Sequence, residues 1–248
     1  MTAIRLTRFL ARAGASSRRG AADLVAAGRV KINGHPPLGP GDPVDPVADV
    51  VTLDGRVLRL AETLHLALHK PTGYVTSRTA TGRFPLVFDL LPDAPRALAA
   101  VGRLDVMTEG LLLFTTDGDL ASRLMHPKWV VPRVYAVDVT GSVGPDAREA
   151  LDHGLLLTGE TRPVKPLSWR FTPVPRGGRL ELELGEGRSR VVRRLCRALR
   201  LPIRKLIRLA YGPVSLGDLP AGSARPLTAR EVAALYRAVR LAPPDAQA

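Results

Sequence analysis

The order of helix and strand signals is what most restricts the fold of this chain. Three-to-four-residue and two-residue apolar periods succeed one another without the regular strand-helix alternation of a parallel α/β sheet, so the sequence points to an α+β fold around a largely antiparallel sheet. At the start, Leu6, Phe9, Leu10 and Ala13 recur at helical spacing, and Ser16-Ser17 offers a cap for a second helix carrying Ala21, Ala22, Leu24 and Val25. Gly28 stops that helix. Arg29-Val-Lys-Ile-Asn-Gly34 then reads as a short strand with an Asn-Gly turn, and a second strand ends at Asp54-Gly55 beyond the Pro- and Gly-rich stretch from His35 to Asp49. This outlines a small module of two helices and short strands over 1–60, a boundary near Ala61 to Thr63, a second domain over 61–242, and a tail over 243–248 small and polar enough to fray.

The second domain opens on an alternating strand from His65, broken by Pro71 and Gly73. Further strands are expected at 98–103, 110–115, 133–140, 167–172 and 179–185, and helices near 118–125, 145–153 and 189–200. No apolar run approaches the roughly 18 residues of a membrane-spanning helix; even Leu111-Leu-Leu-Phe114 soon meets Asp117. The formal charge of +13 favours a polyanionic partner, nucleic acid above all. Base composition explains a preference for Arg over Lys, but not the surplus of cations over acids. The single cysteine, Cys196, excludes an internal disulfide or a cysteine-based zinc site and fits a reducing cytoplasm; it is expected to be a small buried apolar residue. No metal site is expected.

In the module, Arg5, Arg8 and Arg12 recur at three- to four-residue spacing, and Arg18 and Arg19 stand where the second helix begins, beside free backbone N–H groups. Together with Gly28-Arg-Val-Lys-Ile-Asn-Gly34, this pattern resembles the alpha-L RNA-binding motif shared by a ribosomal small-subunit protein and several RNA-modifying enzymes. The resemblance makes Arg5, Arg8, Arg18, Arg19, Lys31 and Asn33 candidate RNA contacts, of a kind that positions RNA without reading its sequence.

Four spaced segments carry the chemistry: Lys70-Pro-Thr-Gly73, Gly102-Arg-Leu-Asp-Val-Met-Thr-Glu-Gly110 with its apolar continuation, Arg133-Val-Tyr135, and Glu186-Gly-Arg-Ser-Arg-Val-Val-Arg-Arg-Leu195. In this order they resemble the pseudouridine synthases of ribosomal RNA, the small-subunit and large-subunit branch that bears an N-terminal RNA-binding module. The resemblance implies that Asp105 is the nucleophile of a reaction that cuts the bond between a uridine's ring nitrogen and its sugar, turns the uracil, and rejoins it through ring carbon 5. Nothing is oxidised or added, so no cofactor is expected. A carboxylate suits the task, either by attacking carbon or by removing a sugar proton. The resemblance further implies that Tyr135 stacks on a uracil taken out of the RNA fold, and that Arg193 pairs with the Asp105 carboxylate. Asp117 and Asp119, by contrast, read as cap or turn residues heading a helix.

Nine basic residues and no acid lie between Arg188 and Arg208, on an expected helix, a Leu201-Pro202 break and a strand. Arg103, Arg133, Arg188, Arg190 and Arg194 are therefore further candidates for RNA contact. The chain departs from the family pattern at Arg133, where lysine is usual, and at Val191, where glutamine is usual. The implied partner is ribosomal RNA or a pre-ribosomal particle, met by a cytoplasmic monomer with no membrane attachment. The closing Gly212-Pro-Val-Ser-Leu, Leu219-Pro-Ala-Gly and Arg225-Pro-Leu-Thr segments point to the large-subunit type. The alternatives are a small-subunit enzyme, an enzyme of transfer RNA, and a non-catalytic ribosome-assembly factor on the same scaffold.

Overall fold

A computed structural model describes residues 3–60, 63–80 and 82–242. The expected boundary near 61–63 falls largely, and the expected frayed tail wholly, outside the described residues. In the N-terminal module, β1 (Ile4–Arg5) runs into α1 (Leu6–Arg12), and α2 (Arg18–Ala26) starts at Ser17, whose hydroxyl accepts from the Gly20 N–H at 3.1 Å. Leu6, Phe9 and Leu10, one face of α1, are buried against Ala21, Val30, Val44 and Val51. Strand β3 (Pro43–Val44) pairs with β1, while β2 (Val30–Ile32), β4 (Val51–Leu53) and β5 (Arg56–Val57) make a small antiparallel sheet. Both expected two-residue turns are present, with Asn33-Gly34 at φ 52° and 83° and Asp54-Gly55 at 50° and 79°. The left-handed pair matches the twist of a hairpin, which is why Asn or Asp before Gly encodes it.

The second domain is built on a nine-stranded sheet. Its strands are β6 (His65–Lys70), β7 (Ala99–Ala100), β8 (Glu109–Thr115), β9 (Arg133–Thr140), β10 (Ser168–Val174), β11 (Gly177–Leu184), β12 (Ile203–Tyr211), β13 (Val214–Ser215) and β14 (Ala224–Pro226). The order is β10-β11-β9-β12-β8-β6-β14, with β13 added to β12 and β7 to β8, and only β8 and β12 run parallel. The α+β expectation therefore holds. The strand expected at 98–103 shrinks to two residues because the chain turns at Gly102, φ 78°.

Strand β8 shows why the sequence carries an unbroken apolar run there. Leu111 and Leu113 face one core with Leu120 and Leu124 of α3 (Gly118–Met125), whereas Leu112 and Phe114 face another with Leu68, Val87 and Leu98. A strand covered on both faces has no polar side to show. Further packing comes from α4 (Pro145–His153) and α5 (Val191–Ala198) on the β9-β11 half, and from α6 (Ala229–Ala238), which contributes Leu235 and Tyr236. Helix α6 is not among the elements expected above, although Thr228 and Glu231 form a capping box at its start. Asp117 caps α3 as expected, accepting from the N–H groups of Asp119 and Leu120; Asp119 lies in the first turn and pairs with Arg8 at 2.7 Å.

Candidate active site

The site grows from the loop between β7 and β8. Lys70, at the end of β6, is fully buried, and its Nζ donates to the carbonyls of Pro71 (2.9 Å), Asp105 (3.2 Å), Val106 (3.4 Å) and Thr108 (2.9 Å). The Gly73 N–H and the Thr76 hydroxyl tie the same loop through Val106 and Leu104. One cation thus replaces a regular hydrogen-bond ladder and fixes the main chain on both sides of Asp105. Burial lowers the Lys70 ammonium to a pKa of about 8, against the pull of Asp105 and Glu109.

The Asp105 side chain points from this loop into a cleft of about 1400 Å³ that Tyr135, Arg133, Arg193 and Arg208 also line. Arg193, on α5, brings Nε to 3.5 Å from Asp105 Oδ2, an ion-pair distance without hydrogen-bond geometry. Its Nη2 donates to the Met107 carbonyl at 2.6 Å and the Thr108 hydroxyl at 3.1 Å, so the residue orients the loop as well as facing its carboxylate. Burial lowers the Arg193 pKa and Asp105 opposes the shift. A second cation, Arg190, reaches the same oxygen at 3.6 Å from the left-handed N-cap of α5, φ 52°. Sequence reasoning assigned Arg190 to RNA and missed this contact.

The sheet places the other groups in a row. Lys70 pairs with Gly110, Gly110 with Arg208, and Arg208 with Tyr135, so one line across β6, β8, β12 and β9 carries the cleft's polar floor. Gly110 permits this approach, because a Cβ there would lie 2.3 Å from the Arg208 carbonyl oxygen. Tyr135 is buried, as is Arg133, which donates to the carbonyls of Val131 and Leu124 and to the Tyr211 hydroxyl. Arg133 is thus bound into the floor rather than extended toward solvent.

The remaining candidates fall into distinct settings. Arg103 is exposed at the cleft, whereas Arg188 is held by Glu186, by Glu160 and by two carbonyls, and Arg194 is held by Glu160 and the Thr158 carbonyl. Arg194 and then Arg188 keep the Glu160 carboxyl below its usual range. In the module, Arg5, Arg19 and Lys31 are exposed, Arg8 meets Asp119, and the Asn33 amide bridges Asp49 and the Val50 N–H. The side chain of Arg18 lies outside the described residues. Cys196 is buried, with its thiol pushed up to about 12. Among the described residues no group of three or more His, Cys, Asp or Glu is placed to hold a metal ion. Lys70, Thr108 and Arg208 were missed as site residues: Lys70 stood in a recognisable motif, but Arg208 had no local signal beyond its charge.

The second domain thus holds a cleft that sets one carboxylate against two arginines. The RNA pseudouridylate synthase family matches residues 64–198 and the S4 domain family residues 4–51, and the chain belongs to the RNA pseudouridylate synthases. It is 37% identical over 244 residues to an uncharacterized RNA pseudouridine synthase of Aquifex aeolicus (strain VF5), covering 97% of each chain. With ribosomal large subunit pseudouridine synthase B of Bacillus subtilis (strain 168) it shares 34% over 229 residues, covering 92% of this chain and 93% of the other. A crystal structure of a pseudouridylate synthase, 30% identical, superimposes with a TM-score of 0.65 over 94% of this chain and 99% of that one. The chain is accordingly an isomerase with an RNA substrate, and the non-catalytic alternative finds no support.

Proposed function

We propose that the protein converts a specific uridine of ribosomal RNA, in the large subunit, to pseudouridine, with Asp105 as its nucleophile. The observation that carries the site assignment is the Asp105 carboxylate facing the cleft within ion-pair distance of Arg193 and Arg190. A carboxylate so held acts on the sugar either by forming a bond to its anomeric carbon or by taking its neighbouring proton, and the ring departs with the electron pair of its nitrogen. Tyr135, fixed on β9, offers the displaced uracil a stacking surface, while Arg103, Arg5, Arg19 and Lys31 stand exposed where phosphates can meet them. The name of the Bacillus subtilis relative supports the large subunit as target.

The reading extends to a monomer, and an isomerisation that adds and removes nothing asks for no cofactor. Ribosomal RNA as substrate supports a cytoplasmic location; among the described residues no helix is long and apolar enough to cross a membrane. Mapping pseudouridine in ribosomal RNA with and without the gene identifies the target. On that RNA, Asp105→Asn is expected to abolish pseudouridine formation while binding persists. Turnover by this variant at the wild-type rate overturns the assignment of Asp105.

A further inference from the structure

Four charged side chains are fully or nearly buried among the described residues: Lys70, Asp117, Arg133 and Arg208. Three are cations, Arg133 and Arg208 lining the cleft and Lys70 bound to the carbonyls of the Asp105 loop, and none of these three makes an ion pair among the described residues, although a buried charge without a counter-charge is costly. Lys70 and Arg133 spend their donors on main-chain carbonyls and the Tyr211 hydroxyl. Arg208 differs. It is 2% exposed, its Nε donates to the Leu111 carbonyl at 2.7 Å, and its buried Nη2 has no acceptor.

The strand register shows how Arg208 comes to the cleft. Arg208 pairs with Tyr135 and Ala210 with Val134, leaving Leu209 as an extra residue in β12. Without this bulge, Tyr211 would face away from Arg208, since alternate residues of a strand point to opposite sides. With it, Arg133 and Tyr135 on β9 and Arg208 and Tyr211 on β12 share one face. The Tyr211 ring lies 4.7 Å from the Arg133 guanidinium and 5.1 Å from that of Arg208. Cation and aromatic alternate in both directions on this face, which lines the cleft.

We propose that Arg208 is a catalytic residue whose Nη2 donates to a ring carbonyl of the target uracil and stabilises the negative charge that the ring gains on leaving the sugar. The inference rests on the pseudouridine-forming role of Asp105 argued above. When the carboxylate attacks, its bond to the anomeric carbon forms as the bond from that carbon to ring N1 breaks, and the electron pair stays on the ring. When the carboxylate instead removes the neighbouring sugar proton, those C–H electrons form a sugar double bond and the ring again leaves with its pair. In both routes the charge spreads over N1 and the two carbonyl oxygens. Turning the ring about the axis through N3 and C6 exchanges N1 with C5, and it also exchanges the two carbonyl oxygens. A donor fixed at one carbonyl therefore meets an acceptor before and after the turn. Ring C5 then bonds to the anomeric carbon: in the first route this breaks the bond to the carboxylate, which leaves with its electron pair, and in the second C5 adds to one end of the sugar double bond while the carboxylic acid returns its proton to the other; the C5 proton is lost and N1 gains one. Sealed from water, the guanidinium acts where such an interaction is strong.

The test uses target RNA fragments carrying uridine, 2-thiouridine or 4-thiouridine at the modified position, since sulfur is the weaker acceptor. Single-turnover rates are measured for the wild type, Arg208→Lys and Arg208→Gln, with thermal unfolding and RNA binding measured alongside. Both variants are expected to bind RNA normally and turn over about 100-fold more slowly, the usual loss for one such donor. One thio substitution is expected to slow the wild type while leaving each variant no slower than it already is. Losses that multiply, or variants as fast as the wild type, overturn the inference; if Arg208→Gln fails to fold, Arg208→Lys carries the comparison. A wild type inactive on uridine RNA, or an active Asp105→Asn, faults the underlying role of Asp105 instead.

Discussion

Arg188 on the wall of the cleft and Arg194, bound to the same wall residue Glu160, carry the same charge as Arg133 and Arg208 on its floor, yet the two pairs are held by opposite means. The wall arginines share Glu160, and Arg188 adds Glu186, so that stretch of surface is neutralised from within. The floor arginines meet carbonyls, a phenol and an aromatic ring, Lys70 meets carbonyls alone, and among the described residues none of the three forms an ion pair with a carboxylate. Charge matched by a carboxylate has little left for a phosphate, whereas charge matched only by dipoles keeps its full sign. Five residues of the basic run from Arg188 to Arg208 therefore fall into three settings: Arg190 and Arg193 at Asp105, Arg188 and Arg194 as a brace for the loop around Glu160, and Arg208 on the floor.

The comparison is broken most severely at Lys70. Lys70→Met leaves the buried carbonyls around Asp105 without their shared donor, and we expect a loss of about 3 kcal/mol in urea unfolding together with slower pseudouridine formation. An unchanged midpoint would show that Gly73 and Thr76 hold the loop unaided. The sign with pH is opposite to that of an ion-paired lysine. The folded-state pKa, about 8, lies below the usual 10.5, so between these values the unfolded chain binds more protons and stability rises with pH. Below about 8 the cost of burying the charge is fully present. The stability gap between the wild type and Lys70→Met should therefore widen from pH 8 to 10; a constant gap refutes the depressed lysine.

The wall offers a gentler alteration. Glu160→Gln removes the carboxylate that Arg188 and Arg194 share, while Glu186 still holds Arg188. Freeing one arginine for phosphate should tighten RNA binding at low salt and steepen the log-log salt dependence by about 0.7 to 0.9. A slope equal to that of the wild type would mean that the wall arginines face no RNA even when released.

The same contrast explains what was legible in the sequence. Asp105, Tyr135 and Arg193 stand in spaced motifs, and the hairpin turns, the Ser17 and Asp117 caps and the buried run of β8 each follow from local chemistry. The partners of Lys70 were not legible, because they are backbone carbonyls on a loop distant in sequence. Nor was the role of Arg208, whose orientation toward Tyr211 depends on a one-residue slip at Leu209 that no side-chain pattern records. Arg188, Arg194 and Arg8 were all read as phosphate contacts for the same reason: charge is visible in a sequence and the carboxylate facing it is not.

Arg8 gives the smallest and most discriminating case. It leaves α1 of the N-terminal module to meet Asp119 in the first turn of α3 at 2.7 Å, with both side chains about a third exposed, so the pair joins the two parts of the molecule. Pairs this open to water contribute less than about 1 kcal/mol. A double-mutant cycle of Arg8→Gln and Asp119→Asn should accordingly show a coupling of about 0.2 to 1 kcal/mol in stability, shrinking with added salt. The RNA measurement separates docking from phosphate contact. If Arg8 docks, Arg8→Gln leaves the salt dependence of RNA binding unchanged. If it binds phosphate, Arg8→Gln lowers the slope by about 0.7 to 0.9, and Asp119→Asn, by releasing the arginine, tightens binding. Because the two outcomes differ in slope for Arg8→Gln, even an interaction this weak decides which class of cation Arg8 belongs to.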